Sequence, residues 1–303
     1  MKNLQYFLVL MLLISTNCVG KQQDEPQNPI KAVTGTVITH ENFETNFVAS
    51  RNIEVWLPSG YDENESSYQV LYMHDGQNVF DPTTSYSGND WMVDEVLTDL
   101  ISNGEVPETI VVAMWNTGQT RFPEYMPQKP AEIMNSESVK EQVIDNSGSP
   151  IFSDEYLKFI VQEVKPFVDE NYRTKPEREF TSIMGSSMGG LISLYAIIEY
   201  PDVFGAAGCL STHWIVPEIG EAFMDFVAEN LPDPTTHKIY FDYGTKGLDS
   251  EYEPSQLKVD EMMVSNGFMK NENWITKKFE GHDHKEHYWA MRVHEPLTFI
   301  LNQ

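Results

Sequence analysis

Apolar and polar positions change rhythm along this chain. Residues 35–39 and 51–57 alternate, the period of strands with one solvated face, and predict an antiparallel pair. Pro58, Ser59, Gly60 and Tyr61 end that pair. Beyond them compact apolar runs replace alternation. Residues 68–73 and 109–114 read as buried strands, and 91–101 between them has helical spacing through Val93, Val96, Leu97 and Leu100. Ser153 opens a long helix as its expected cap, with Asp154 and Glu155 in the first turn. Its apolar stripe is Leu157, Ile160, Val161, Val164, Phe167 and Val168, and Pro166 is expected to bend or loosen the last turn. A strand over 180–184 is followed by an amphipathic helical run over 191–198. Strands near 206–210, 238–243 and 274–279 then alternate with helices near 219–226, 256–263 and 288–301. This alternation predicts a mostly parallel central sheet with helices on both faces and antiparallel strands at the N-terminal side. Residues 117–150 are poorly periodic and carry several prolines, as a long loop or a small cap does.

The chain has 303 residues, which suits one large α/β domain or two small ones. No domain-breaking linker follows Pro29, so residues 33–303 read as one catalytic domain. Lys and Arg number 20 against 46 Asp and Glu, a formal net charge of -26. Such a surface repels phosphate backbones, which excludes nucleic acid as the expected partner; plain solubility accounts for the charge. Lys2 followed by an apolar run at 7–14 reads as a signal peptide over residues 1–18, too short to span a bilayer. Cys18 stands where bacterial lipoproteins carry their lipidated cysteine, although Asn17 departs from the small residue usual before it. Ordinary cleavage near Gly20 is the alternative. Residues 19–32 then form a flexible tether. The expectation is an exported protein, periplasmic or at the outer membrane or cell surface, with membrane attachment through Cys18. Cys209, the other of the two cysteines, falls in a buried strand and reads as a packed thiol, so the fold cannot depend on disulfides.

The chemistry-bearing residues follow this framework. Gly185, Ser186, Ser187, Met188 and Gly189 lie between a strand and a helix, the context that makes a G-x-S-x-G match a nucleophile elbow. Ser187 is the candidate nucleophile. It needs a base and an orienting carboxylate, and in the order Ser, acid, His the chain supplies both. The acid belongs just after the strand ending at Tyr243; Asp249 is the choice, with Glu251 and Glu253 as rivals. The base belongs between the last strand and the final helix, where His282, His284 and His287 crowd together. His284 is favoured, because a helix that Trp289 can anchor begins soon after it. Zinc held by these histidines with Asp283 is the competing reading; no metal or organic cofactor is required by the serine chemistry. An oxyanion would rest on the Met188 N–H and on a donor from the loop His74 to Asn78, for which Gln77 is the choice. In the plainer reading that loop is a turn, with His74 hydrogen-bonded inside the fold.

Tyr72 to Asp81, Arg121 to Tyr125, Gly185 to Gly190, Gly208 to Ser211 and His284 to Trp289 together resemble the putative-esterase family of α/β-hydrolases. That family includes feruloyl and acetyl-xylan esterases, S-formylglutathione hydrolases, enterochelin-type siderophore esterases and mycolyl transferases. The pieces run in family order from about Thr34 to the C-terminus. The resemblance implies an α/β-hydrolase fold and a serine ester hydrolase with Ser187 as nucleophile, His284 as base and a variable acid loop around Asp249. It also implies Asp75, Trp91, Asn116, Arg121 and Ser186 on the substrate side, near Glu124 and Tyr125, with an Arg121–Glu124 ion pair as the alternative role for those two. A carbohydrate or aryl ester is the expected substrate. A siderophore trilactone, acyl transfer, and a non-catalytic binding protein on the same fold remain open beside it.

Overall fold

A computed structural model describes residues 34–302 apart from 135, 137–140, 142 and 146; the expected signal segment and tether, with Cys18, lie outside the described residues. Eight strands form one sheet in the order β1-β2-β4-β3-β5-β6-β7-β8. β1 (Thr36–Phe43) pairs antiparallel with β2 (Arg51–Leu57), and β2 antiparallel with β4 (Thr109–Met114). From there β4, β3 (Gln69–Met73), β5 (Thr181–Ser186), β6 (Ala206–Leu210), β7 (Lys238–Gly244) and β8 (Trp274–Phe279) run parallel.

Successive strand residues point to opposite faces, so the sheet carries two cores. Val70, Tyr72, Ile183, Cys209 and Phe241 pack on one side with the helices Met188–Glu199 and Ile219–Asn230. Leu71, Met73, Val111, Met184 and Tyr240 pack on the other with Val93–Ser102 and His294–Leu301. Cys209 is buried and its thiol pKa is pushed well above the ordinary value by burial, as befits a packed thiol. These elements compose the α/β-hydrolase fold. All described residues fall within one unit, Lys31–Gln303, and no helix among them is long and apolar enough to cross a membrane.

Four local expectations need correction. The helix after β5 is not amphipathic: Met188 to Ile198 are all buried, because it crosses the middle of the sheet under other helices. Ser153 is the first helical residue rather than the cap, and its hydroxyl is buried without a hydrogen-bond partner. That helix is interrupted well before its last turn by a π-helical segment, Phe159–Val164, just ahead of Pro166, whose ring removes a helical N–H. The C-terminal helix is two, Glu286–Arg292 and His294–Leu301. Pro296 cannot donate to the carbonyl of Arg292 and its ring crowds that carbonyl, so the break falls there. Of the two readings of 117–150, long loop or small cap, the plain loop gives way among the described residues to short helices at Arg121–Tyr125 and Gln128–Met134.

Candidate active site

The loops at the carboxyl ends of the parallel strands meet on one edge of the sheet, where such folds hold their ligands. Ser187 links β5 to the helix Met188–Glu199 with φ 59 and ψ -121, a conformation rare for a non-glycine residue. The turn is held by the Ser187 N–H on the Leu210 carbonyl (2.9 Å), and by the Gly190 and His213 N–H groups on the Ser187 carbonyl (3.0 and 3.3 Å). Strand and helix pass so closely that a Cβ on Gly185 would sit 2.9 Å from the Gly189 backbone. This is why the motif needs small residues at its flanks.

Asp249 lies in the short turn Gly247–Glu251 after β7 and is wholly buried. Its Oδ1 is 2.6 Å from His284 Nδ1. Its Oδ2 accepts from the Ser211 hydroxyl and from the Gly244 N–H, both at 2.7 Å. Burial works against the Asp249 charge, but the bonds from His284, Ser211 and Gly244 outweigh it and hold the carboxyl below its ordinary pKa. With Nδ1 engaged by a carboxylate, the proton rests on Nδ1 and Nε2 is left as the acceptor. The rival acids go elsewhere: Glu253 meets Lys278 (2.9 Å) and Tyr243, and Glu251 is exposed.

The His284 ring is fixed by Trp289, edge-on at 5.0 Å, and by Tyr252 at 5.6 Å. His282 lies against Phe279 and Tyr288 with Nδ1 3.3 Å from Arg292, and His287 is exposed. The three histidines of the zinc reading therefore do not converge.

Two backbone N–H groups are the candidate oxyanion donors. Met188 is the first residue of its helix, and Gln77 sits in the turn Gly76–Asn78 after β3. Neither N–H has a hydrogen-bond partner among the described residues. The Gln77 side chain is used for support, its Oε1 accepting the Asn116 N–H at 3.1 Å. Gly76 is obligatory, because a Cβ there would lie 2.6 Å from the Ala113 backbone.

Asp75, in the left-handed region at φ 57, is clamped by Arg121, Nε to Oδ1 and Nη2 to Oδ2, each 2.7 Å, and by Asn116 Nδ2 at 2.7 Å. Burial opposes the Asp75 charge, yet Arg121 and Asn116 hold its pKa low. The Arg121–Glu124 pair considered from sequence does not form. Glu124 is instead gripped by Arg51, Nη1 to Oε2 at 2.8 Å and Nη2 to Oε1 at 2.6 Å, with both side chains buried. Asp75, Trp91 and Ser186 are buried, whereas Asn116 and Arg121 keep accessible surface. Trp91 packs on Trp289 at 5.6 Å, and Ser186 lies within β5. His74 bonds Tyr156 through Nδ1 at 2.8 Å, and burial pushes its pKa down to about 3.

Sequence reading missed a supporting layer. Ser211 holds Asp249 and accepts from Trp289 Nε1 (3.0 Å) and Arg292 Nη2 (2.8 Å). Arg292 also binds the buried Asp242 at 2.9 Å. His213, three residues past β6, bonds Tyr252 at 2.7 Å and stands 6.4 Å from the His284 ring; burial, then the charges of His284 and Arg121, lowers its pKa to about 3. The sequence signals for them were the Gly208 to Ser211 piece of the family resemblance, which carried no role for Ser211, and the position of Ser211 and His213 within three residues of the end of a parallel strand.

A family model described as "Putative esterase" matches residues 46–298. The uncharacterized protein YbbA of Bacillus subtilis (strain 168) is 26% identical over 166 residues, which cover 54% of this chain and 58% of YbbA. An endo-1,4-beta-xylanase/feruloyl esterase of Xylanibacter ruminicola is 24% identical over 169 residues, 54% of this chain and 20% of that protein. The matched segment thus spans less than two thirds of the length of either relative. A solved ferulic acid esterase shares the fold with TM-score 0.66 at 20% identity, over 88% of this chain and 98% of its own. With the family model matching from just before β2 to the last helix, the chain belongs to the putative-esterase family of α/β-hydrolases.

Proposed function

We propose that the protein is an exported serine carboxylic-ester hydrolase that uses Ser187, His284 and Asp249 and acts on carbohydrate-bound or aryl esters. The observation that carries this reading is the 2.6 Å contact of His284 Nδ1 with buried Asp249, on the loops beside the strained Ser187 turn. A serine hydroxyl is a weak nucleophile until a base removes its proton. In the proposed cycle His284 Nε2 takes the Ser187 proton as Oγ attacks the ester carbonyl. Asp249 stabilises the imidazolium without becoming protonated. The oxyanion accepts the N–H groups of Met188 and Gln77, aided by the positive end of the helix Met188–Glu199. His284 then protonates the leaving alcohol, and water repeats the sequence on the acyl-enzyme. Side chains, the two backbone N–H groups and water supply the whole cycle.

Arg121 and Asn116 are the substrate-side residues with accessible surface, and Asp75 positions both. Feruloyl esterase activity in the name of a relative supports an aryl acyl group. The apolar run after Lys2, and Cys18, support export and lipid attachment. The test is a hydrolysis screen, read by mass spectrometry, on feruloylated and acetylated oligosaccharides and a catecholate trilactone. Release of ferulate or acetate supports the reading; trilactone cleavage alone redirects it to a siderophore, and acyl transfer to an added alcohol in preference to water redirects it to a transferase.

A further inference from the structure

The loop after β3 and the first turn of the helix Val93–Ser102 bring three carboxylates together. One oxygen each from Asp90, Asp94 and Glu95 lies within 4.8 Å of the others. No lysine or arginine among the described residues forms an ion pair with any of them. Asp94 is 0% exposed. Its Oδ2 accepts the Thr34 N–H at 3.2 Å, but its Oδ1 is sealed from solvent with no donor, as is Glu95 Oε2. A buried carboxylate oxygen left without a donor is costly, and since Asp94 and Glu95 are hydrogen-bonded to each other, either a proton shared between them or a cation relieves it. Backbone N–H groups of the first turn supply part of what is missing.

We propose that Asp90, Asp94 and Glu95 form a calcium-binding site. The ligands are hard oxygens, the set that Ca²⁺ takes and that softer metals do not prefer. Oxygens on opposite sides of Ca²⁺, at about 2.3–2.6 Å each, are about 4.6–5.2 Å apart, a span that holds all three donors. For Mg²⁺ at about 2.0–2.1 Å the limit is about 4.2 Å, and that ion also demands near-ideal octahedral geometry, which three carboxylates from one loop and one helix turn do not impose. Asp90 and Glu95 are half-buried, which leaves the ion an approach and room for waters to complete its shell. Burial, reinforced by Asp94, pushes the Glu95 carboxyl up to about 7, so a proton is the competitor for the same place. Position gives the site its use. Asp90 precedes Trp91, whose ring packs on Trp289, and Trp289 is edge-on to His284. An ion at Asp90 would pin the segment that backs the His284 wall.

The test is calorimetric titration of the chelator-stripped full chain with CaCl₂ and MgCl₂, with thermal melts in each. The expected result is one Ca²⁺ per chain, Mg²⁺ at least about tenfold weaker, and a Tm raised by about 5 °C at hundredfold excess over Kd. Asp94→Asn and Glu95→Gln should each lose the binding heat and the Ca²⁺-dependent shift while melting in chelator no lower than the wild type. Should Asp94→Asn fail to fold, Glu95→Gln carries the comparison. No heat and no shift in the wild type, a shift retained in the variants, or Mg²⁺ bound as tightly as Ca²⁺ would each overturn the proposal. Neither readout uses ester hydrolysis, so the outcome is independent of the proposed activity.

Discussion

Ser211 donates its hydroxyl to Asp249 at 2.7 Å while accepting from Trp289 and Arg292. One side chain thereby ties the carboxylate to β6, to the wall behind His284 and to a buried guanidinium. Hydrogen bonds to charged groups are worth about 1.5–3 kcal/mol. Ser211→Ala should therefore lower kcat on p-nitrophenyl acetate by roughly tenfold or more with KM little changed, and Ser211→Thr should recover part of it. An unchanged kcat would mean that Asp249 is oriented without Ser211.

Ser187→Ala should reduce turnover by at least about 10³-fold with the fold intact by circular dichroism. His284→Ala should match it. His282→Ala should retain most activity, because its ring is occupied by Phe279, Tyr288 and Arg292 rather than by Asp249. Steady-state rates of the three variants separate the two histidines.

Gly76→Ala places a methyl group 2.6 Å from the backbone of Ala113. The turn must shift, and with it the Gln77 N–H. Loss of one oxyanion donor costs about 10²–10³ in kcat, and a fall of that size is expected here. Full activity in a folded Gly76→Ala protein would remove Gln77 from the proposed oxyanion site.

Glu54 is buried in β2, its Oε1 without a hydrogen-bond partner, and burial pushes its pKa from 4.5 up to about 7. A carboxyl raised in the folded state contributes its stability in full below its unfolded pKa and loses it as pH rises through about 7. Glu54→Gln removes that loss. Relative to the wild type, the variant should gain on the order of 3 kcal/mol between pH 4.5 and pH 8, read from denaturant unfolding at each pH. A difference independent of pH would show that Glu54 keeps an ordinary carboxyl.

Hydrophobic rhythm made much of the framework legible. The bounds of β4 and β6 follow directly from it, because a buried strand must be continuously apolar and short. Alternation marked the bounds of β2, but the solvated face it implied is absent, since Glu54 and Arg51 are buried as well. The contact between Asp249 and His284 was reachable from chain order, since each lies just past a strand end on the same edge of the sheet. What could not be read is what pairs across the fold. Ser211 and Arg292 are 81 residues apart, and Arg51 and Glu124 are 73 apart. No local pattern marks either pair. For Arg121 the sequence leaves two roles open, on the substrate side or paired with Glu124, because the fork of Asp75, Asn116 and Arg121 needs a turn in left-handed geometry that alternation does not reveal.

Among the described residues β8 pairs only with β7, so the sheet ends at the strand that delivers His284. The strand before Ser187 sits inside, flanked by β3 and β6. Border strands open at lower free energy than central ones. Mild denaturant should therefore silence this protein while most of its backbone stays protected from hydrogen exchange, with the periphery acting as a fuse for the whole.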